Sequence, residues 1–143
     1  MRVSVTLAAA LLLMSYGCHE PLGPSFETLT INILRSSPWG SAEPALTPTL
    51  TQTGSRLSVK TSIALPQSNY TLAGTLMWQG QDSLLLEVEA ARHDFGLTTI
   101  WRIDYMIDSL PLASGTYRLS WWHNVRNVAT PRTHVLDTTI VIP

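Results

Sequence analysis

One cysteine, Cys18, is all the thiol chemistry in this 143-residue chain. An intrachain disulfide is therefore excluded, and burial alone has to hold the fold together. Charge is scarce too, with Asp, Glu, Lys and Arg making up only 13% of the residues. Nine basic side chains face ten acidic ones, and removing Arg2 with a leader segment leaves eight against ten, a net charge of −2. Such a surface does not suit nucleic acid, which is held by neutralising phosphates with Lys and Arg. After Met14 no long apolar run remains. No Gly-x-Ser-x-Gly elbow frames any serine, and no Cys or His pair has metal-site spacing.

The apolar run that does exist is at the start. Arg2 supplies one positive charge, Val3 to Met14 is apolar or small, and Ser15-Tyr16-Gly17-Cys18 comes next. A short basic start, about a dozen apolar residues and small residues at a cleavage point describe a secretory signal peptide. The run is too short for a membrane-spanning helix, which needs about 20 residues. Residues 1–17 are read as the signal peptide, 18–25 as a tether with two prolines and a glycine, and 26–143 as the domain.

Gly17-Cys18 resembles the lipobox of bacterial lipoproteins, although Ser15 stands where leucine is usual. The resemblance implies acylation of Cys18 and a membrane partner reached through that lipid. The expected location is the bacterial outer membrane or periplasm. Ser15 and Gly17 also fit ordinary signal-peptidase cleavage, and the alternative is a secreted protein.

Thr, Ser, Leu, Val and Ile dominate the rest of the chain, which favours strands over helices. Phe26 to Arg35 alternates and reads as a first strand. Ser36 to Pro48 holds three prolines and Gly40 and reads as a loop, with an edge strand after it at Thr49 to Thr53. Arg56 to Leu65 points Leu57, Val59, Ile63 and Leu65 inward. Asn69 to Trp78 and Ser83 to Ala91 form a hairpin around Gln79-Gly80-Gln81-Asp82. Gly74, on the inward face of its strand, marks a bulge or a close approach. Thr98 to Ile107 puts Trp101, Ile103, Tyr105 and Ile107 on one face, with Arg102 and Asp104 on the other. Thr116 to His123 points Tyr117, Leu119 and Trp121 inward, and His134 to Pro143 closes the domain. Seven strands, or eight with the edge strand, with regular turn signals predict an all-β antiparallel sandwich.

The run Leu110-Pro111-Leu112-Ala113-Ser114-Gly115-Thr116-Tyr117-Arg118-Leu119 resembles the turn into strand F of immunoglobulin-like, Greek-key domains. The resemblance implies a Tyr117 hydroxyl bonded back to the corner backbone, Leu119 at the core position, and Trp78 or Trp101 as the central tryptophan. The stretch from Asn69 to Pro143 also resembles small uncharacterised bacterial lipoproteins. That likeness rests on Tyr70-Thr71-Leu72-Ala73-Gly74, the corner, and Val135-Leu136-Asp137-Thr138-Thr139-Ile140-Val141-Ile142-Pro143. Those proteins often carry a cysteine just before the tyrosine and another near Phe95, and this chain has neither. The resemblance implies a fold and an address, not an activity.

Three constellations are candidates for chemistry. Strands alternating up and down from Arg56 would bring His93, Asp94, His123 and His134 to one rim, where imidazole and carboxylate could hold zinc for a small metal-dependent hydrolase. Glu87 and Glu89, two apart on a strand, suit a solvated face better than a glycosidase pair. Trp122 must point away from Trp121, and Trp39 sits in the proline-rich loop, so both could stack on a sugar or anchor a protein. The bland reading has Trp122 covered by the loop from Ser36 to Pro48. Asn69-Tyr70-Thr71 fits the glycosylation pattern, which in a bacterial lipoprotein has no consequence. The expectation is a non-enzymatic, envelope-anchored binding or spacer module without catalytic residue, cofactor or metal. The envelope partner would be a protein or a glycan, and the runner-up is a carbohydrate-binding module using Trp122 and Trp39.

Overall fold

Alternating runs of apolar and polar residues become strands that bury one face each. A computed structural model describes residues 25–41, 43–93, 99–129 and 131–143. The expected signal peptide, Cys18, most of the tether and Asp94 lie outside the described residues. Nine strands form: β1 (Phe26–Leu29), β2 (Asn32–Pro38), β3 (Thr49–Thr53), β4 (Arg56–Leu65), β5 (Tyr70–Trp78), β6 (Ser83–Arg92), β7 (Trp101–Ile107), β8 (Gly115–Val125) and β9 (Arg132–Ile142). They make a two-sheet sandwich, with a five-stranded sheet in the order β1-β5-β6-β8-β9 and a four-stranded sheet in the order β2-β7-β4-β3. All pairs are antiparallel except β6 and β8. Parallel neighbours need a crossover, and here β7, in the opposite sheet, supplies it.

The count exceeds the expected seven or eight because the first strand is two. β1 pairs with β5, the chain crosses at Thr30-Ile31, and β2 pairs with β7 in the other sheet. Gly74 makes the crossing possible. A Cβ on it would lie 3.2 Å from Leu29 Cβ and 3.3 Å from Ile31 Cδ1. Gly74 is therefore a close approach rather than a bulge. β2 also extends to Pro38, into what reads as loop in the sequence.

The core lies between the sheets. Leu57, Val59, Ile63 and Leu65 from β4 meet Leu76, Leu84, Leu86, Val88, Leu119 and Trp121 from the larger sheet. Trp121 is fully buried, whereas Trp78 and Trp101 only pack against the rim of the core. The central tryptophan is thus Trp121, not Trp78 or Trp101 as the immunoglobulin likeness implies. The corner is as expected: Tyr117 Oη donates to Ala113 O at 3.0 Å, and Leu119 is buried two residues on. Gly115 at φ 155° starts β8, and a Cβ there would sit 3.1 Å from Tyr117 Oη.

Residues 39–41 and 43–48 cover the outer face of the four-stranded sheet, not Trp122. Trp39 N donates to Ile100 O at 2.8 Å, Leu46 N to Ser62 Oγ at 2.6 Å, and Arg102 Nη1 to Glu43 O at 2.8 Å. Under this strap Arg102 and Asp104 are 3% and 2% exposed. Arg102 Nε lies 3.1 Å from Asp104 Oδ1, and Ser62 Oγ donates to the same oxygen at 2.5 Å. Arg35 bridges Asp104 and Glu43. Buried charge is tolerated here because each ion has an opposite partner.

Candidate functional site

The outer face of the five-stranded sheet carries a polar cluster, and the strand register sets it out in rows. Arg118 on β8 lies between Ser83 on β6 and Thr139 on β9. Two residues along, Ser120 lies between Leu85 and Asp137, and then Trp122 lies between Glu87 and His134. Side chains two apart in a strand share a face about 7 Å apart, so these rows form one surface.

A bulge aims the third row. Trp121 pairs with Leu136 but Trp122 pairs with His134, which leaves Val135 as an extra residue. In a regular strand residues three apart face opposite sides. The extra residue puts His134 on the same face as Asp137, and His134 Nε2 reaches Asp137 Oδ1 at 3.0 Å. Trp122 Nε1 donates to Ser120 Oγ at 2.8 Å. The Ser120 hydroxyl, and after it His134, holds the Asp137 carboxyl below the ordinary carboxylate range. The result is a chain of hydrogen bonds from Trp122 through Ser120 to Asp137, met from the other side by His134. This order differs from a nucleophilic triad, in which the imidazole sits between hydroxyl and carboxylate. Here the carboxylate is in the middle.

Trp122 is half-buried, and its ring is engaged. The Arg132 guanidinium lies 4.9 Å from the ring centroid, and the His134 ring meets it at 4.9 Å and 68°. Arg132 is held in turn by Glu87 at 3.0 Å, to which Asn124 Nδ2 also donates. Glu89 pairs with Arg126 at 2.9 Å. Glu87 and Glu89 thus face outward, each satisfied by an arginine.

Beside the Ser120–Asp137 row is an open depression of about 480 Å³, lined by Gln79, Ser83, Arg118, Ser120, Asp137 and Thr139 among others. Arg118 is exposed, and no carboxylate among the described residues pairs with it. A second depression of about 440 Å³ lies near β1 and the β7–β8 connection, bordered by Glu27 and Asp108.

The other sequence candidates are dispersed. Trp39 is exposed, but it comes after β2 of the smaller sheet, so it shares no sheet face with Trp122. The histidine rim does not converge. His93 is exposed after β6, His134 lies on the outer face of β9, and His123 is buried on the inner face of β8. His123 Nε2 is 2.7 Å from Tyr105 Oη, with the Trp121 ring beside both. Burial pushes its pKa down to about 4 and raises that of the Tyr105 phenol, so both are neutral near pH 7. No group of three or more potential metal ligands occurs among the described residues. The polar row that the sequence reading missed is Arg118–Ser120 with Asp137. Its only signal there is Arg118, Ser120 and Trp122 alternating along one strand.

The chain matches no protein-family model, no curated protein and no solved structure.

Proposed function

We propose that this chain is an exported, lipid-anchored binding module of the bacterial envelope that works without catalysis. Its binding face is the outer surface of β8 and β9. The observation that carries this reading is the Trp122–Ser120–Asp137–His134 chain beside an open depression. Its hydrogen-bonded groups are held in place and suit holding a ligand. The central carboxylate, kept ionised by its neighbours, is a weak base for activating Ser120.

The anchor rests on the signal-like run ending in Gly17-Cys18. Six residues lie between Cys18 and Ser25, whose carbonyl accepts the Trp78 N–H at 3.0 Å. Fully extended, that tether spans no more than about 25 Å, which keeps the domain close to the membrane. Several acyl chains on one cysteine would anchor it stably, at about 0.8 kcal/mol per buried methylene.

The test is expression of the full chain in a bacterial host, then membrane fractionation and mass spectrometry of the mature protein. An acylated N-terminal Cys18, and release of the Cys18→Ser variant into the soluble fraction, are the expected results. A mature chain that starts elsewhere, or carries an unmodified Cys18, overturns the anchor.

A further inference from the structure

We propose that the depression beside β8 and β9 binds a neutral, hydroxyl-rich saccharide, with Asp137 and Arg118 as the two residues that grip it. The proposal rests on the binding-module reading above and names its ligand class.

The argument is the balance of donors and acceptors. Asp137 is two-thirds exposed, and once Ser120 and His134 are satisfied its carboxylate keeps lone pairs facing solvent. One step along the sheet, Arg118 offers a planar fork of N–H donors with no described carboxylate to occupy it. Between and around them are the hydroxyls of Ser83 and Thr139 and the amide of Gln79. Neighbouring sugar hydroxyls each donate and accept, so one pair can donate to Asp137 while another accepts from Arg118. A phosphate or sulfate only accepts, and would meet Asp137 as a like charge, with Asp82 close by on the β5–β6 turn. An ammonium ligand would leave Arg118 unused.

The geometry also revises how a sugar would be held. Arg132 already lies over the Trp122 ring and is fixed there by Glu87. A sugar therefore meets Trp122 at the border of the site, and the polar row supplies the affinity. Trp39, after β2 in the other sheet, takes no part.

The test uses the full mature chain on an array of neutral, carboxylated and phosphorylated oligosaccharides, with titration of the hits by tryptophan fluorescence. Neutral oligosaccharides should bind. Asp137→Asn and Arg118→Gln should each weaken binding about ten-fold, the scale of one charge-assisted hydrogen bond. Both side chains are exposed, so both variants should keep the wild-type circular dichroism. Trp39→Ala should bind as wild type. No neutral hit, binding confined to anionic glycans, or hits unaffected by both variants would each overturn the saccharide assignment. Envelope material captured without sugar, and lost in Asp137→Asn, would overturn it too while leaving the binding-module reading in place.

Discussion

Acid should loosen this domain through His123, well above the range where carboxylates titrate. The imidazole is 8% exposed, held against Tyr105 Oη at 2.7 Å and flanked by the Trp121 ring. Burial lowers its pKa from 6.5 to about 4. The folded state therefore binds the proton more weakly than the unfolded chain does. The stability His123 contributes is fully present above the unfolded value and is lost as pH falls toward the folded one. The window is about pH 6.5 to 4, and the slope inside it approaches about 1.4 kcal/mol per pH unit. Between about pH 7 and pH 5 the loss comes to about 2 kcal/mol, a large part of a typical small domain's stability. Urea melts at the two pH values should show the midpoint dropping by about 1 M, given slopes of about 1–3 kcal/mol/M. His123→Gln keeps a polar partner for Tyr105 and does not titrate, so its midpoint should stay flat over the same interval. Equal wild-type midpoints at the two pH values would refute the reasoning. So would a His123→Gln variant with the wild-type slope, since another group would then carry the effect.

The other expectations concern packing and buried charge. Tyr117→Phe removes the 3.0 Å bond to Ala113 O and should cost about 1 kcal/mol in denaturant melts. Trp121→Ala empties a fully buried site and should cost about 3–5 kcal/mol, while Trp122→Ala should cost clearly less and leave the chain folded. Asp104→Ala leaves Arg102 buried without its anion and should cost about 3–5 kcal/mol, with faster amide exchange in the 39–48 strap as a second readout.

Much of the fold is legible because β4 and β8 alternate strictly and each buries one face. Leu57, Val59, Ile63 and Leu65 on β4 and Tyr117, Leu119 and Trp121 on β8 are inward in both sequence and structure. The split of β1 from β2 is not legible. Phe26 to Arg35 has one unbroken apolar pattern, and the break depends on where Gly74, some forty residues away, lets the chain cross. Arg102 and Asp104 are legible as outward-facing but not as buried. Alternation reports which side of a sheet a residue occupies, and whether that side is covered depends on the distant strap.

The proposed binding face shows the same limit in sharper form. From sequence, strict period-2 alternation would place His134 and Asp137 on opposite sides of β9, because three is odd. Leu136, Ile140 and Ile142 correctly set Asp137 outward, and by the same count His134 would have pointed into the core. A bulge at Val135 reverses that, and Val135 carries no glycine or proline to announce it. The reason lies across the ladder. Trp121 needs Leu136 opposite it on the inner face, and Trp122 is flanked on the outer face by His134 and Arg132. One extra residue satisfies both tryptophans at once. A Val135 deletion should then restore regular pairing while leaving His134 opposite Trp122 and two positions from Asp137, so that its contact with Asp137 persists. Tryptophan fluorescence should stay close to wild type, since the His134 ring keeps its place against Trp122. If a Val135 deletion instead turns the His134 ring away from Trp122 and changes the spectrum, Val135 is not the extra residue of this ladder.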